Sequence, residues 1–212
     1  YAMREIYKAG GFGKMIYTEG EYYHYMDKHI GSYNGWRVGL PPQYYPTHSN
    51  GFYTCVTGGS FTSVSCLAIP SLLPDNQPGK NRYNNPFASE IALFRTSEGG
   101  MARMAVSWDM PGAGGEKGRV YGQKGSFEAR YSGQADISKV AQEKPPLPPG
   151  VPAGGHGGSH GYLSDDFIRA ILLKQKPVCD VACALNTTVS GIYAHMSAMK
   201  DGETLKIPQY AL

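Results

Sequence analysis

Tyr45 and His48 stand three residues apart in "YYPTHSNG" (44–51). An imidazole exchanges protons near neutral pH and a phenol donates a hydrogen bond or a proton, so the two side chains have the makings of an acid–base pair. A second group lies upstream in "GKMIYTEGEYYHYMD" (13–27), where Tyr17, Glu19, Glu21 and Tyr23 share one parity and Ile16, Thr18, Tyr22 and His24 the other. Side chains of a strand alternate between its faces. Two carboxylates flanked by tyrosines therefore read as a polar face turned toward a cleft, with Gly20 placed to carry a bulge that re-aims them. His156 sits inside "GGHGG", where flanking glycines let the backbone approach a ligand closely. Trp36 and Arg37 together suit a substrate hydroxyl or a carboxylate, His160 and Tyr162 are weaker candidates, and His195 and Trp108 read as packing residues. Each candidate also has an ordinary reading: a polar residue beside a helix start for His48, a solvated strand carboxylate for Glu19, a structural one for Glu21, a flexible linker for His156.

The elements that must position these groups follow from pattern. "YAMREIYKAGG" reads as the last turns of a helix stopped by Gly10 or Gly11. Residues 13–27 read as a strand, 28–46 as a loop, and 47–57 as a helix capped by Thr47 and ended at Gly58 or Gly59. A strand over 61–69 precedes a proline-rich loop, 70–86. Strands at 87–97 and 100–109 form a hairpin, 111–118 is a turn, and 119–131 is a second hairpin around Gly122 and Gly125. A linker-like stretch then leads to a helix over 162–175, with Phe167, Ile168, Ile171 and Leu172 at helical spacing, and to a last helix over 181–200 capped by Asp180. About five mostly antiparallel strands with helices at the ends of the order make an α+β fold: an open, mostly antiparallel β-sheet with helices packed on one face. The uncovered face, rich in tyrosine and carboxylate, is a site or an interface.

Composition narrows the function. The 212 residues are 41% hydrophobic and 17% charged, enough for a single domain with its own core. A net charge of +3 without a long Lys/Arg run argues against a nucleic-acid partner. No apolar run approaches the roughly 18 residues of a membrane helix, so no membrane role is expected. The four cysteines, Cys55, Cys66, Cys179 and Cys183, read as free thiols buried like small hydrophobes; Cys179 and Cys183 have no histidine cluster nearby, and no metal site is expected. The 16 tyrosines offer flat rings with polar tips, which suit polyols. No phosphate-cradling glycine loop, nucleophile elbow or zinc-protease motif occurs.

"GKMIYTEGEYYH", "YYPTHSNG", "GQKGSF", "GGHGGSHGYLSDDFIRAIL" and "IYAHMSA…DGETLKIP", in that order, span nearly the whole chain. Together they resemble the C-terminal, substrate and oligomerisation domain of the Gfo/Idh/MocA oxidoreductases, most closely the branch with NAD-dependent α-N-acetylgalactosaminidases. The resemblance implies residues 1–212 as one substrate-binding domain whose N-terminal Rossmann domain is absent from this chain; the start inside a helix agrees. It implies NAD or NADP bound mainly by that other domain, a carbohydrate or glycoside substrate, and a homo-oligomer formed through the open sheet face. It maps catalytic positions onto His48 as base, Tyr45 as its partner and Glu19 as a hydroxyl-binding or leaving-group carboxylate. His156, Trp36, Arg37, Glu21 and Tyr17 would bind substrate. In the glycosidase branch, oxidation at C3 acidifies the C2 proton, a base removes it, and the C1 substituent leaves. The turn "PGAGGEKG" lacks the further tyrosine those glycosidases carry, so a relative acting on another glycoside and a plain sugar dehydrogenase remain open. A non-catalytic binding or assembly module is the alternative of a different class. The compartment is left open, because any export signal would lie upstream.

Overall fold

The computed structural model describes residues 1–26, 33–74 and 77–211; the start of the loop read over 28–46 lies outside the described residues. Four helices and eight strands are present there. They follow as α1 (Ala2–Lys8), β1 (Met15–His24), α2 (Thr47–Thr57), β2 (Phe61–Pro70), β3 (Phe87–Thr96), β4 (Met101–Ser107), β5 (Gly114–Gly122), β6 (Gly125–Phe127), β7 (Tyr131–Gly133), α3 (Ser159–Leu172), α4 (Val181–Ala198) and β8 (Leu205–Lys206). The strands form one open sheet in the order β7-β6-β5-β1-β4-β3-β2-β8. All neighbours are antiparallel except β1 and β4, which run parallel. Hairpin reasoning alone misses that pair, because β1 is inserted between β4 and β5 from a distance in sequence rather than through a turn. Of the segment read as a turn at 111–118, residues 114–118 are in fact the start of β5, whose register sets Glu116 opposite Tyr22 and Gly118 opposite Gly20.

Helices α2 and α4 cover one face of the sheet. The main core forms beneath them from Tyr53, Phe61, Val64, Phe94, Met104 and Ala194, all at most 2% exposed. Burying each large side chain of this set stabilises the fold by about 1.5–3 kcal/mol. Glycine sets how closely α2 can lie. A Cβ at Gly20 would collide with the Ser49 carbonyl oxygen, and one at Gly118 with the Phe52 ring. Gly20 therefore carries no bulge; the β1 ladder is regular there, its one irregularity lying between Met15 and Tyr17. Helix α2 ends, as its sequence predicts, at a left-handed Gly58 (φ 74°). Thr47, however, is its first residue and not a side-chain cap. Asp180 does cap α4, accepting from the Cys183 backbone N–H at 2.7 Å.

Two differences from the expected layering matter. Helix α3 forms, but its Phe167, Ile168, Ile171 and Leu172 are at least half exposed, so its apolar stripe does not join the core. Among the described residues no helix covers the second face of the sheet, and across β2, β3 and β4 it exposes Leu67, Ile69, Ile91, Leu93 and Met101.

Candidate functional site

Gln43 starts the construction of the site. It lies in a single 3-10 turn, Pro42–Tyr44, whose two prolines at 41 and 42 preset the backbone. Its side chain donates to the Met104 carbonyl at 3.0 Å, and its backbone N–H donates to Glu90 Oε2 at 2.7 Å. Glu90 is fully buried, and its Oε1 meets His195 Nδ1 at 2.6 Å. This buried Gln43–Glu90–His195 network pins the turn to the middle of the sheet. His195 is thus the satisfied packing residue expected. The next residues, Tyr45 and Pro46, lead straight into α2, so Tyr45 and His48 are presented from one rigid corner.

There the opening pair meets. The rings of Tyr45 and His48 stack with centroids 4.7 Å apart, and Tyr22 stacks on His48 at 4.3 Å. Trp108 closes the cluster edge-on, 6.0 Å from Tyr22 and 6.1 Å from Tyr45; it is buried, as expected, with its indole N–H on the Leu40 carbonyl. Burial, then the neighbouring Tyr45 and Glu116, raise the Tyr22 hydroxyl above the usual phenol range. Arg37 lies over both the Trp36 and the Tyr45 rings, 5.2 Å from each, and reaches the Tyr45 hydroxyl at 3.5 Å. Trp36 and Arg37 therefore belong to the same place as Tyr45.

The carboxylate beside His48 is not Glu19. It is Glu116 of β5, which hydrogen-bonds Nδ1 of the imidazole. A carboxylate only accepts, so it holds the proton on Nδ1 and leaves Nε2 as the basic nitrogen. Glu19, Glu21 and Tyr17 occupy the opposite, helix-free face, because Gly20 and Tyr22, not their odd-numbered neighbours, face α2. The expectation that a phenol, an imidazole and Glu19 converge on the uncovered surface is corrected by this parity. On that face Glu19 accepts from the Tyr17 hydroxyl at 2.7 Å and pairs with Arg103 at 3.2 Å and Arg119 at 2.8 Å, while Glu21 pairs with Arg103. Glu19 stands directly opposite both arginines in the ladder, which makes the cluster a set of cross-strand pairs rather than the wall of a cleft. Burial pushes the Glu19 carboxyl up, but the Tyr17 hydroxyl and the two guanidinium groups outweigh it and hold it below the usual range.

His156 lies in the turn before α3 at φ 53°, followed by Gly157 and Gly158, which also take positive φ. Its ring partner is His160, 3.0 Å away, and not Tyr45 or His48. Tyr162 and Ser159 of α3 line a separate hollow of about 420 Å³ with Tyr1, Lys144 and Arg169. The hollow bounded by Tyr22, Arg37, Tyr45 and Trp108 measures only about 20 Å³, room for one water. Sequence reasoning passed over Glu116, Tyr22 and Glu90. Parity already set Tyr22 apart from Glu19; nothing local marked Glu116, because its meaning comes from the β1–β5 register. The cysteines need a correction as well. Only Cys66 is buried as a small hydrophobe; Cys55, Cys179 and Cys183 come together at the far end of α2.

No family model and no curated protein matches the sequence. Solved structures do match its fold. A levoglucosan dehydrogenase in complex with NADH and levoglucosan superposes with a TM-score of 0.71 at 15% identity, covering 99% of this chain and 63% of its own. The WlbA dehydrogenase from Bordetella pertussis, in complex with NADH and UDP-GlcNAcA, gives 0.67 at 12% identity, covering 98% of this chain and 59% of its own. The chain has the Gfo/Idh/MocA C-terminal-domain fold. UDP-N-acetylglucosamine 3-dehydrogenase GnnA from Acidithiobacillus ferrooxidans shares it at a TM-score of 0.59 and 12% identity, over 94% of this chain and 58% of its own. The chain thus spans about 60% of the length of these dehydrogenases.

Proposed function

We propose that this chain is the substrate-binding and catalytic part of a NAD(P)-dependent sugar oxidoreductase, within a longer protein. The observation that carries the reading is the corner where His48, clamped by Glu116 and stacked on Tyr22 and Tyr45, stands beside Arg37, on a fold whose solved neighbours include dehydrogenases of sugars and sugar nucleotides. No glycine-rich strand-to-helix turn for a pyrophosphate occurs in the sequence. The cofactor would be held by another part of the protein, where it supplies the hydride acceptor. The apolar stripe of α3 offers one surface for such a part. This chain's own work is narrower. Nε2 of His48 takes a proton from a carbinol or from a carbon next to a ketone. The Tyr45 hydroxyl, with Arg37 beside it, binds and polarises the substrate oxygen. The rings of Tyr22 and Trp36 give apolar faces to sugar C–H groups.

A redox glycosidase uses the same pair, since a base beside the α-carbon serves its elimination step. One assay separates the readings. The whole gene product is incubated with NAD⁺ or NADP⁺ and free sugars, UDP-sugars and aryl glycosides. Accumulating reduced nicotinamide marks a dehydrogenase; aglycone release without net reduction marks the glycosidase. A whole protein that binds no dinucleotide in a fluorescence titration leaves the assembly-module reading in place of both.

We further propose that the open face pairs two copies of the chain. Leu67, Ile69, Ile91, Leu93 and Met101 are 40–63% exposed and contiguous across three strands, and the Glu19–Arg103–Arg119 cluster flanks them. An apolar patch of this kind on an open sheet supports a protein interface. Sedimentation should show at least a dimer, and Leu67→Asp with Leu93→Asp should give a folded monomer; a wild-type protein that stays monomeric at micromolar concentration rejects the interface.

A further inference from the structure

Cys55 lies more than a hundred residues from Cys179 and Cys183 in sequence, yet the three Sγ atoms all lie within 4.8 Å of one another. Cys55 projects from the last turns of α2, Cys183 from the first turn of α4, and Cys179 from the residue just before the Asp180 cap. The seam between the two helices fixes this arrangement. Thr54 and Thr187 share a hydroxyl–hydroxyl bond of 2.7 Å, Asn50 donates to Ser190 at 2.9 Å, and Thr187 donates to the Cys183 carbonyl at 2.8 Å.

We propose that these three cysteines form a tris-thiolate site for a thiophilic closed-shell metal ion, Zn(II) with one open position or trigonal Cu(I), that staples α2 to α4. A metal at about 2.3 Å from each sulfur needs sulfur–sulfur separations of about 4 Å, so the thiols have to close by less than an ångström. Soft sulfur ligands select these ions over magnesium or calcium. Three thiolates need compensating charge, and two sources are in place. Cys183 sits in the positive first turn of α4, and Arg4 borders the same hollow as Cys55. A disulfide would use two of the three sulfurs and strand the third. The site is independent of the redox chemistry proposed above. Cys55 lies seven residues beyond His48 on α2, about 10 Å along the helix, which makes the metal a brace for the catalytic corner and not a participant in it.

The test uses the whole protein, reduced and stripped of metal by a chelator, then titrated anaerobically with Zn(II), Co(II) or Cu(I). One equivalent per chain is expected, with a thiolate-to-cobalt charge-transfer band in the Co(II) arm and a raised melting temperature in the others. Cys55→Ser and Cys183→Ser should each weaken binding by roughly 100-fold or more, since even loss of an outer-shell partner costs 10–100-fold. Cys66→Ala, in the main core, should leave the affinity unchanged. The Zn(II) and Cu(I) arms tell which ion is held more tightly. Affinity unaltered in both serine variants, absence of the charge-transfer band, or a disulfide between two of the three that persists in glutathione buffer each overturns the site.

Discussion

If His48 is the proposed base, replacing it by alanine in the whole protein is expected to lower kcat/KM for the proposed sugar substrate by about 100- to 10,000-fold, the range of a positioned acid–base group. That is roughly 3–5.5 kcal/mol of transition-state stabilisation. The expectation rests on one nitrogen. Glu116 holds the proton on Nδ1, the Tyr22 and Tyr45 rings fix the imidazole plane, and Nε2 is left for substrate. Two companions make the result diagnostic. Glu116→Gln keeps a hydrogen-bonding group at Nδ1, but its amide can donate there and move the imidazole proton to Nε2, so it should lower kcat by orders of magnitude while leaving the fold intact. Glu19→Gln, on the other face of the sheet, should stay within a few-fold of wild type. His48→Ala with full turnover would remove the proposed base; Glu19→Gln as damaging as His48→Ala would restore the carboxylate that the structure sets aside. Circular dichroism and melting curves separate chemistry from folding.

Glu90→Ala should be the most destabilising single change at a polar position, by about 3–5 kcal/mol, which for a chain of this size is a fall in Tm of roughly 6–20 °C. Glu90 is fully buried, and it alone joins the Gln43 backbone N–H to the His195 ring. Truncating it strands both partners in the core beside α4. Glu90→Gln preserves the shape: its carbonyl accepts from Gln43, and its amide donates to a His195 whose proton moves to the other nitrogen. Most of the stability should therefore return. Because the Gln43 turn presents Tyr45, Glu90→Ala should also loosen the proposed catalytic corner, seen as a raised KM in whatever active protein remains. Urea unfolding that moves by less than about 1 kcal/mol would show that the network is not what holds the turn.

Much of this molecule is legible in its residues taken in order. The α+β class, the β3–β4 hairpin, the Gly58 stop of α2, the Asp180 cap and the placing of Tyr45 and His48 at one helix start all come from local rules acting over a few residues. So does the parity of β1, which separates Glu19 from Tyr22 without saying which side is covered. That choice belongs to tertiary structure: Gly20 and Gly118 lie opposite each other only after β1 slots between β4 and β5, and the gap they leave is where Ser49 and Phe52 of α2 settle. Once α2 lies on the even-numbered side, His48 finds Glu116, Glu19 is left with two arginines, and Cys55 arrives beside Cys179 and Cys183. Helical periodicity likewise announced the apolar stripe of α3 but not whether anything within the chain would cover it. Short-range patterns report what a backbone segment can do; which side chains share a space is decided by strand register and helix seating, which join residues a hundred positions apart.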